Sequence, residues 1–135
     1  MRENTGKVVL VGAGPGDTGL LTLKGEKYIK QADCLVYDRL SSPEFLSMAK
    51  AGCELIYVGK ENHKHVMKHD AINELLYEKS KYHELVVRLK GGDPYVFGRG
   101  GEEALYLVDR NVEVEVVPGV SSSVAALAAA GIPIT

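Results

Sequence analysis

Two glycine-rich segments carry the residues of this sequence whose types and spacing could hold a ligand. The first is LVGAGPGD at residues 10–17, and the second is VVRLKGGDPYVFGRGGEE at residues 86–103. Glycine removes the side chain that would keep a ligand away from backbone amides and carbonyls. The first segment alone is equally consistent with a tight turn and with a ligand-binding loop. The second contains five glycines, and the chain entropy lost in ordering them makes a merely connecting role the weaker interpretation.

The glycine spacing excludes the two best-known phosphate-binding motifs. The dinucleotide motif G-x-G-x-x-G needs a third glycine where this chain has Asp17. A carboxylate at that position would repel a pyrophosphate. The sequence also lacks the Gly-Lys-Ser/Thr ending of a P-loop.

Five short apolar runs rich in β-branched residues predict the strands that position these segments. Each run is followed by Gly, Pro or Asp and then by a helical pattern, which is typical of β-loop-α units. The first four are expected to be apolar on both faces. In the fifth, Glu113 and Glu115 alternate with valines and predict an edge strand. We therefore expect an α/β fold with a five-stranded, mainly parallel sheet and helices on both faces. The runs are 8–11, 34–37, 55–58, 85–89 and 112–117.

Apolar residues at helical spacing predict the segments between the strands. This spacing predicts helices over residues 21–32 and from residue 72 onward, with Asp70 as the N-cap of the second. Ser42 and Pro43 predict the start of a shorter helix over 44–50. A last helix is expected from 121–123 to Gly131.

Composition narrows the class of protein. A net charge of -2, with 45% hydrophobic and 25% charged residues, is typical of one soluble globular domain. The near-neutral charge argues against a nucleic-acid partner bound by bulk phosphate neutralisation. Two cysteines cannot form a disulfide framework, and no signal-peptide pattern opens the sequence, so we expect a reduced cytoplasmic protein. The longest apolar stretch, 124–134, is too short to span a membrane.

The predicted fold also predicts where a site would lie. In open parallel sheets, ligands bind beyond the carboxyl ends of the strands. The segments that follow those ends contain most of the glycines and many charged side chains of the sequence. They are residues 12–17, 38–42, 59–69, 90–101 and 118–123.

These residues resemble a known family over nearly the whole chain. The sequence is similar to the uroporphyrinogen III C-methyltransferases of the tetrapyrrole methylase family. The resemblance implies two α/β domains with S-adenosylmethionine in the cleft between them, and methylation of uroporphyrinogen III to precorrin-2, toward sirohaem and cobalamin. The matching motifs are the two glycine-rich segments, LLTLKG at 20–25, VYDRL at 36–40, VGK at 58–60, VVPGVSSS at 116–123 and the terminal AGIPIT.

The resemblance also implies roles for individual residues. The family's proton acceptor and donor fall on Asp38 and Lys60, and such a pair could remove the proton that carbon methylation releases. Without the resemblance, a strand-end turn with a surface ion pair is the favoured interpretation of Asp38 and Arg39. The family's contacts to the methyl donor, which leaves as S-adenosylhomocysteine, fall on Pro15, Gly91, Gly92, Asp93, Val96, Ser121 and Ser122.

The implied substrate is a polycarboxylate, which predicts cations around the cleft. The candidates for substrate binding are Arg39, Lys90 and Arg99.

No metal site is expected. His63, His65 and His69 match no standard zinc spacing, and the lysines among them would repel a cation.

Two departures from the family leave alternatives open. The segment 61–70 differs from the family's usual pattern, which makes a sister methylase with another substrate an alternative. In the family, a second domain forms the other wall of the cleft, and we expect residues 1–135 not to include it. We therefore expect the chain to be an N-terminal domain that is inactive on its own. We expect a homodimer as the assembly. A non-catalytic binding module is the other alternative.

Overall fold

The computed structural model describes residues 5–39, 43–59 and 69–135. Within these residues one five-stranded sheet has the order β3-β2-β4-β1-β5, and all of its strand pairs are parallel. This confirms the expected α/β fold. The strands are β1 (Lys7–Gly12), β2 (Cys34–Tyr37), β3 (Glu54–Tyr57), β4 (Leu85–Lys90) and β5 (Glu113–Val117). The helices are α1 (Leu23–Gln31), α2 (Glu44–Ser47), α3 (His69–Ser80), α4 (Gly100–Val108) and α5 (Ser122–Ala129), with a 3-10 helix at Thr18–Leu20.

Alternate side chains of the strands build an apolar layer on each face of the sheet. On one face, Leu35 of β2 packs in a cluster with Ile29 of α1. On the other face, Val36 belongs to a cluster with Leu76 of α3 and Leu107 of α4. The helices therefore cover both faces, and the central strands β4 and β1 are held between two layers.

The edges of the sheet confirm one expectation and correct another. β5 is an edge strand, as the alternating glutamates predicted. The third run was expected to be buried on both faces, and this is wrong, because β3 forms the opposite edge and Leu55 is 46% exposed. The fourth run is buried but not wholly apolar, since Arg88 lies in the middle of β4 with 2% exposure.

The helices differ from the predicted ones mainly at their ends. α3 begins at His69, so Asp70 lies in its first turn and not at the N-cap. α2 stops at Ser47, short of the predicted residue 50. The side chain of Ser121 caps α5 by accepting a bond from the amide of Ser123. No helix of the described residues is long and apolar enough to cross a membrane.

An ion cluster ties the edge strand to α1. The Glu115 carboxylate lies 2.6 Å from the Lys7 ammonium and accepts a 2.6 Å hydrogen bond from the Tyr28 hydroxyl. Lys24 forms a further ion pair with it. We call Glu115, Lys7, Lys24 and Tyr28 the edge cluster. The hydrogen bonds that Glu115 accepts in this cluster lower its pKa to about 2, and the bond from Lys24 has the largest effect.

Candidate functional site

Three loops meet in backbone contact at the carboxyl ends of β1, β4 and β5. Gly14 and Gly92 exchange two hydrogen bonds, with N–O distances of 3.1 and 2.8 Å. A Cβ atom on Gly119 would lie 2.2 Å from the Gly92 carbonyl oxygen, and one on Gly12 would lie 2.5 Å from the same oxygen. No real side chain fits at such distances, so glycine is required at both positions. The missing side chains at these glycines, which were predicted to leave space for a ligand, therefore also let the neighbouring loops come into contact.

Asp93 joins two of these loops through its carboxylate. One oxygen accepts a 3.0 Å bond from the amide of Gly119, and the other accepts a 2.8 Å bond from the amide of Tyr95. The side chain therefore fixes both the loop after β4 and the loop after β5. Asp17 has a different task, since it caps the 3-10 helix by accepting a bond from the amide of Gly19.

A cavity of about 660 Å³ lies at this meeting point. Its volume falls in the range of small-molecule sites, which is roughly 300–1,000 Å³. Apolar side chains such as Phe45 and Ala126 also line it. All seven residues predicted to contact the methyl donor are part of the lining: Pro15, Gly91, Gly92, Asp93, Val96, Ser121 and Ser122.

The rest of the second glycine-rich segment wraps around one carbonyl. The Pro94 oxygen accepts a 3.0 Å bond from the amide of Gly100, where a Cβ would approach it to 2.4 Å. This tight loop forces Phe97 and Arg99 into left-handed backbone conformations, with φ of 55° and 56°. The Phe97 side chain is fully exposed and lies at the cavity.

A buried ion network joins the carboxyl ends of β2 and β4 to α4. Asp38 faces the guanidinium of Arg88, with O–N distances of 3.2 and 3.3 Å. Arg88 Nε donates to one oxygen of Glu103 at 3.1 Å, and Lys90 Nζ donates to the other at 2.6 Å. We call Asp38, Arg88, Glu103 and Lys90 the buried network.

The fold, the cavity and the motif positions agree with one family. The family model described as Tetrapyrrole (Corrin/Porphyrin) Methylases matches residues 7–135. The chain belongs to this family. At 60% identity over 131 residues, it is similar to a uroporphyrinogen-III C-methyltransferase of Methanocaldococcus jannaschii. It is also 54% identical over 135 residues to an S-adenosyl-L-methionine-dependent uroporphyrinogen III methyltransferase of Methanosarcina barkeri.

A solved structure of this family superposes well on the chain. Uroporphyrin-III C-methyltransferase from Thermus thermophilus, in complex with S-adenosylhomocysteine, gives a TM-score of 0.80 at 52% identity. The match covers 96% of this chain and 53% of that one. The two sequence relatives are covered over 97% and 100% of this chain, and over 54% and 53% of their own lengths. This tetrapyrrole methylase chain thus spans about half the length of the curated relatives it matches.

The structure separates the predicted polar site residues of this tetrapyrrole methylase. Arg39 is exposed and lines the cavity, whereas Arg99 is exposed and pairs with Glu102 at 2.9 Å. Lys90 was expected in a loop, but it is the last residue of β4 and is 6% exposed. Asp38 was expected, from the residues alone, in a surface ion pair, whereas its partner Arg88 is buried. Lys60 lies outside the described residues.

Sequence reasoning missed two members of the buried network, Arg88 and Glu103. The signal for Arg88 was an arginine inside an otherwise apolar strand, since a buried guanidinium needs a partner. For Glu103 the sequence offers a simpler explanation, because a carboxylate is favourable at the start of a helix. It lies in the first turn of α4 but is 0% exposed and bonds to two cations.

One further group of potential metal ligands occurs among the described residues. Atoms of Cys34, Glu54 and His83 lie within 4.8 Å of one another. Burial raises the pKa of the Cys34 thiol to about 12, so it is protonated near neutral pH. Lys79 already bonds to Glu54 at 2.8 Å. This arrangement favours an ion pair over a bound metal. His63 and His65 of the histidine-rich segment lie outside the described residues.

Proposed function

We propose that this chain takes part in the S-adenosylmethionine-dependent C-methylation of uroporphyrinogen III to precorrin-2. The observation that carries the proposal is the cavity at the strand ends, with all seven expected cofactor contacts in its lining. The names of the relatives support the reaction, because they are uroporphyrinogen III methyltransferases. A homodimer and a tetrapyrrole substrate belong to the same proposal.

The cavity fits S-adenosylmethionine chemically. This cofactor is cationic at sulfur, carries a zwitterionic amino acid end, and has an adenosine that needs both apolar contact and hydrogen bonds. The lining offers the Asp93 carboxylate, the hydroxyl groups of Ser121 and Ser122, and apolar surface from Val96 and Phe45. A carboxylate stabilises a nearby cation where the site is partly shielded from water. When bound, the cofactor would supply a methyl group activated for attack by a carbon nucleophile.

Among the described residues, we assign the role of proton acceptor to Asp38. The bound cofactor would supply its methyl group as a methyl cation and leave as a neutral thioether, so the methylated tetrapyrrole would have to release one proton to restore its own charge. The Asp38 side chain is 42% exposed and precedes Arg39, which lines the cavity. It can therefore accept a proton from a substrate that enters beside the cofactor. Lys60 keeps its proposed role as proton donor.

Exposed cations of the strand-end loops suit a polycarboxylate substrate. Arg39 and Arg99 are both exposed, so their guanidinium groups can reach carboxylates without the cost of desolvating a buried site. Lys90 could bind the substrate only if its side chain moved, because its ammonium already donates to Glu103. We further propose that the cofactor site is completed by residues of the kind that the relatives carry in the half of their length not matched here.

Calorimetry with S-adenosylhomocysteine tests the cofactor part of this proposal. A Cβ at Gly91 or at Gly101 would meet no atom within 4 Å, and neither residue has a positive φ. Of these two glycines, only Gly91 lines the cavity. Gly91→Ala should therefore fold normally and bind the ligand about tenfold more weakly, a loss of about 1.4 kcal/mol. Gly101→Ala is the matched control and should bind like the wild type.

The reaction is tested by methyl transfer to uroporphyrinogen III. It should be measured for this chain and for a form extended by the unmatched half of a relative. If Gly91→Ala and the wild type bind S-adenosylhomocysteine with equal affinity, the cavity is not the cofactor site. Binding of S-adenosylhomocysteine without any methyl transfer in either form would favour the non-catalytic binding module.

A further inference from the structure

The buried network is a continuous row of alternating charges. Asp38, Arg88, Glu103 and Lys90 follow one another, and each contact is an ion pair with N–O distances between 2.6 and 3.3 Å. The network joins three elements, since Asp38 follows β2, Arg88 and Lys90 belong to β4, and Glu103 belongs to α4. Its formal charges sum to zero.

Stability alone does not explain why these charges are buried. The side chains of Arg88, Glu103 and Lys90 are 2%, 0% and 7% exposed. Their neighbours on this face of the sheet are apolar, such as Val86 of the same strand and Val36 of β2. Well-packed apolar side chains usually serve a core at least as well as a buried ion pair of similar volume. The arrangement of the network therefore needs another explanation, and its geometry offers one.

The geometry fixes the orientation of Arg88. Its backbone lies in β4 and pairs with Leu10 on one side and Val36 on the other. Glu103 accepts from Nε, so the guanidinium cannot rotate freely, and Nη1 and Nη2 are left facing Asp38. A planar guanidinium that is held on one side presents a rigid pair of donors to a carboxylate on the other.

Within this row, Asp38 alone is accessible to a substrate. Its side chain is 42% exposed, and the next residue, Arg39, lines the cavity. A carboxylate offers about four lone-pair directions, and Arg88 occupies two of them. Of the described residues, only Arg88 donates to this carboxylate.

We propose that Arg88 and Glu103 are positioning residues that hold the Asp38 carboxylate in one orientation, next to Arg39 of the cavity lining. Lys90 completes the unit by holding the second oxygen of Glu103. The inference rests on the proposed function, because it assigns a use to the orientation of Asp38. Displacement of a reacting group by about 1 Å can cost about a hundredfold in rate, so a rigid support for this carboxylate has a direct effect on turnover.

Steady-state kinetics in the form that transfers methyl groups test this role. Glu103→Gln keeps the size of the side chain but loses its charge, so kcat should fall about tenfold or more while the KM for S-adenosylmethionine stays within about twofold. Arg88→Lys keeps the charge but loses the fork, and the same pattern is expected. The matched control is Glu54→Gln, which also removes a carboxylate that two side chains hold, those of Lys79 and His83. Glu54 is at the amino end of β3, and its substitution should leave kcat unchanged.

A double variant separates positioning from a general loss of structure. If Glu103 acts through Asp38, then Asp38→Asn combined with Glu103→Gln should be no slower than Asp38→Asn alone. Multiplied losses in the double variant, or a normal kcat in Glu103→Gln, would overturn the inference. Absence of methyl transfer in the wild type would instead overturn the proposed function.

NMR of the Arg88 guanidinium tests the positioning without any activity. In the wild-type chain, Nη–H signals of Arg88 should be resolved, because both sides of the group are bonded and rotation is hindered. Glu103→Gln should average these signals, and Glu54→Gln should leave them as they are. Resolved Arg88 signals that survive in Glu103→Gln would show that Glu103 does not hold the guanidinium, and the inference would fail even if the enzyme is active.

Discussion

The buried network and the edge cluster are both groups of four polar side chains, but they lie in different surroundings. Glu115 of the edge cluster is 24% exposed and its partner Lys24 is 60% exposed. Glu103 of the buried network is 0% exposed, and Arg88 is 2% exposed. Water can solvate the first group when a partner is lost, whereas it cannot reach the second. Breaking similar ion pairs in one fold can therefore have very different energetic consequences.

The largest expected effect comes from truncating the carboxylate at the centre of the buried network. Glu103→Ala leaves two buried cations without their shared partner, which typically costs about 3–5 kcal/mol. Urea denaturation of the chain measures this loss. In the control, Arg88→Met and Lys90→Met are added to Glu103→Leu so that no buried charge stays unpaired, and most of the stability should return. A loss below about 1 kcal/mol in Glu103→Ala would contradict the contrast with the edge cluster.

The next effect concerns the backbone contacts at the same end of the sheet. Gly119→Ala would place a Cβ 2.2 Å from the Gly92 oxygen and 2.8 Å from the backbone of Gly12, so the loops must separate. Overpacking of this kind typically costs about 1–3 kcal/mol. Thermal unfolding should show the loss. Gly101→Ala is the control, because its methyl group meets no neighbour and alanine favours a helix. Unchanged stability in Gly119→Ala would mean that the three loops are not in contact.

The smallest effect is expected at the edge cluster. Glu115→Gln should lower the free energy of unfolding near pH 6 by about 1 kcal/mol or less, as is usual for partly exposed ion pairs. Because the folded state lowers the pKa of Glu115 from 4.5 to about 2, its contribution is present above pH 4.5 and is lost as the pH falls toward 2. The two proteins should therefore converge in stability at about pH 2.

The matched control for this variant is on the same strand. Glu113 is 74% exposed and lies 3.8 Å from Lys7, so Glu113→Gln should change stability less than Glu115→Gln does. Denaturation series between pH 2 and pH 6 compare the two. A constant difference between Glu115→Gln and wild type across this range would mean that the ionised carboxylate is not what stabilises the edge.

The features that depend on local patterns were predictable from the sequence. Alternation of Glu113 and Glu115 with valines placed β5 at an edge, and the glycine loops at the strand ends indicated the cavity. Pairings between distant residues were not predictable in the same way. Nothing local shows that Glu103 meets Arg88 and Lys90, because the contact depends on how α4 packs against β4. The edge position of β3 was missed because Leu55 and Ile56 resemble a buried run.

The contact between the glycine loops also decides which atoms a ligand finds at the floor of the cavity. The amides of Gly14 and Gly92 donate to each other's carbonyl, that of Ala13 donates to Lys90, and that of Gly119 donates to Asp93. A phosphate group needs free amide donors, and these four have already been used by the protein itself. The contact between these loops is therefore a poor site for a phosphate group, whereas the Asp93 carboxylate in the cavity lining suits a ligand that carries positive charge.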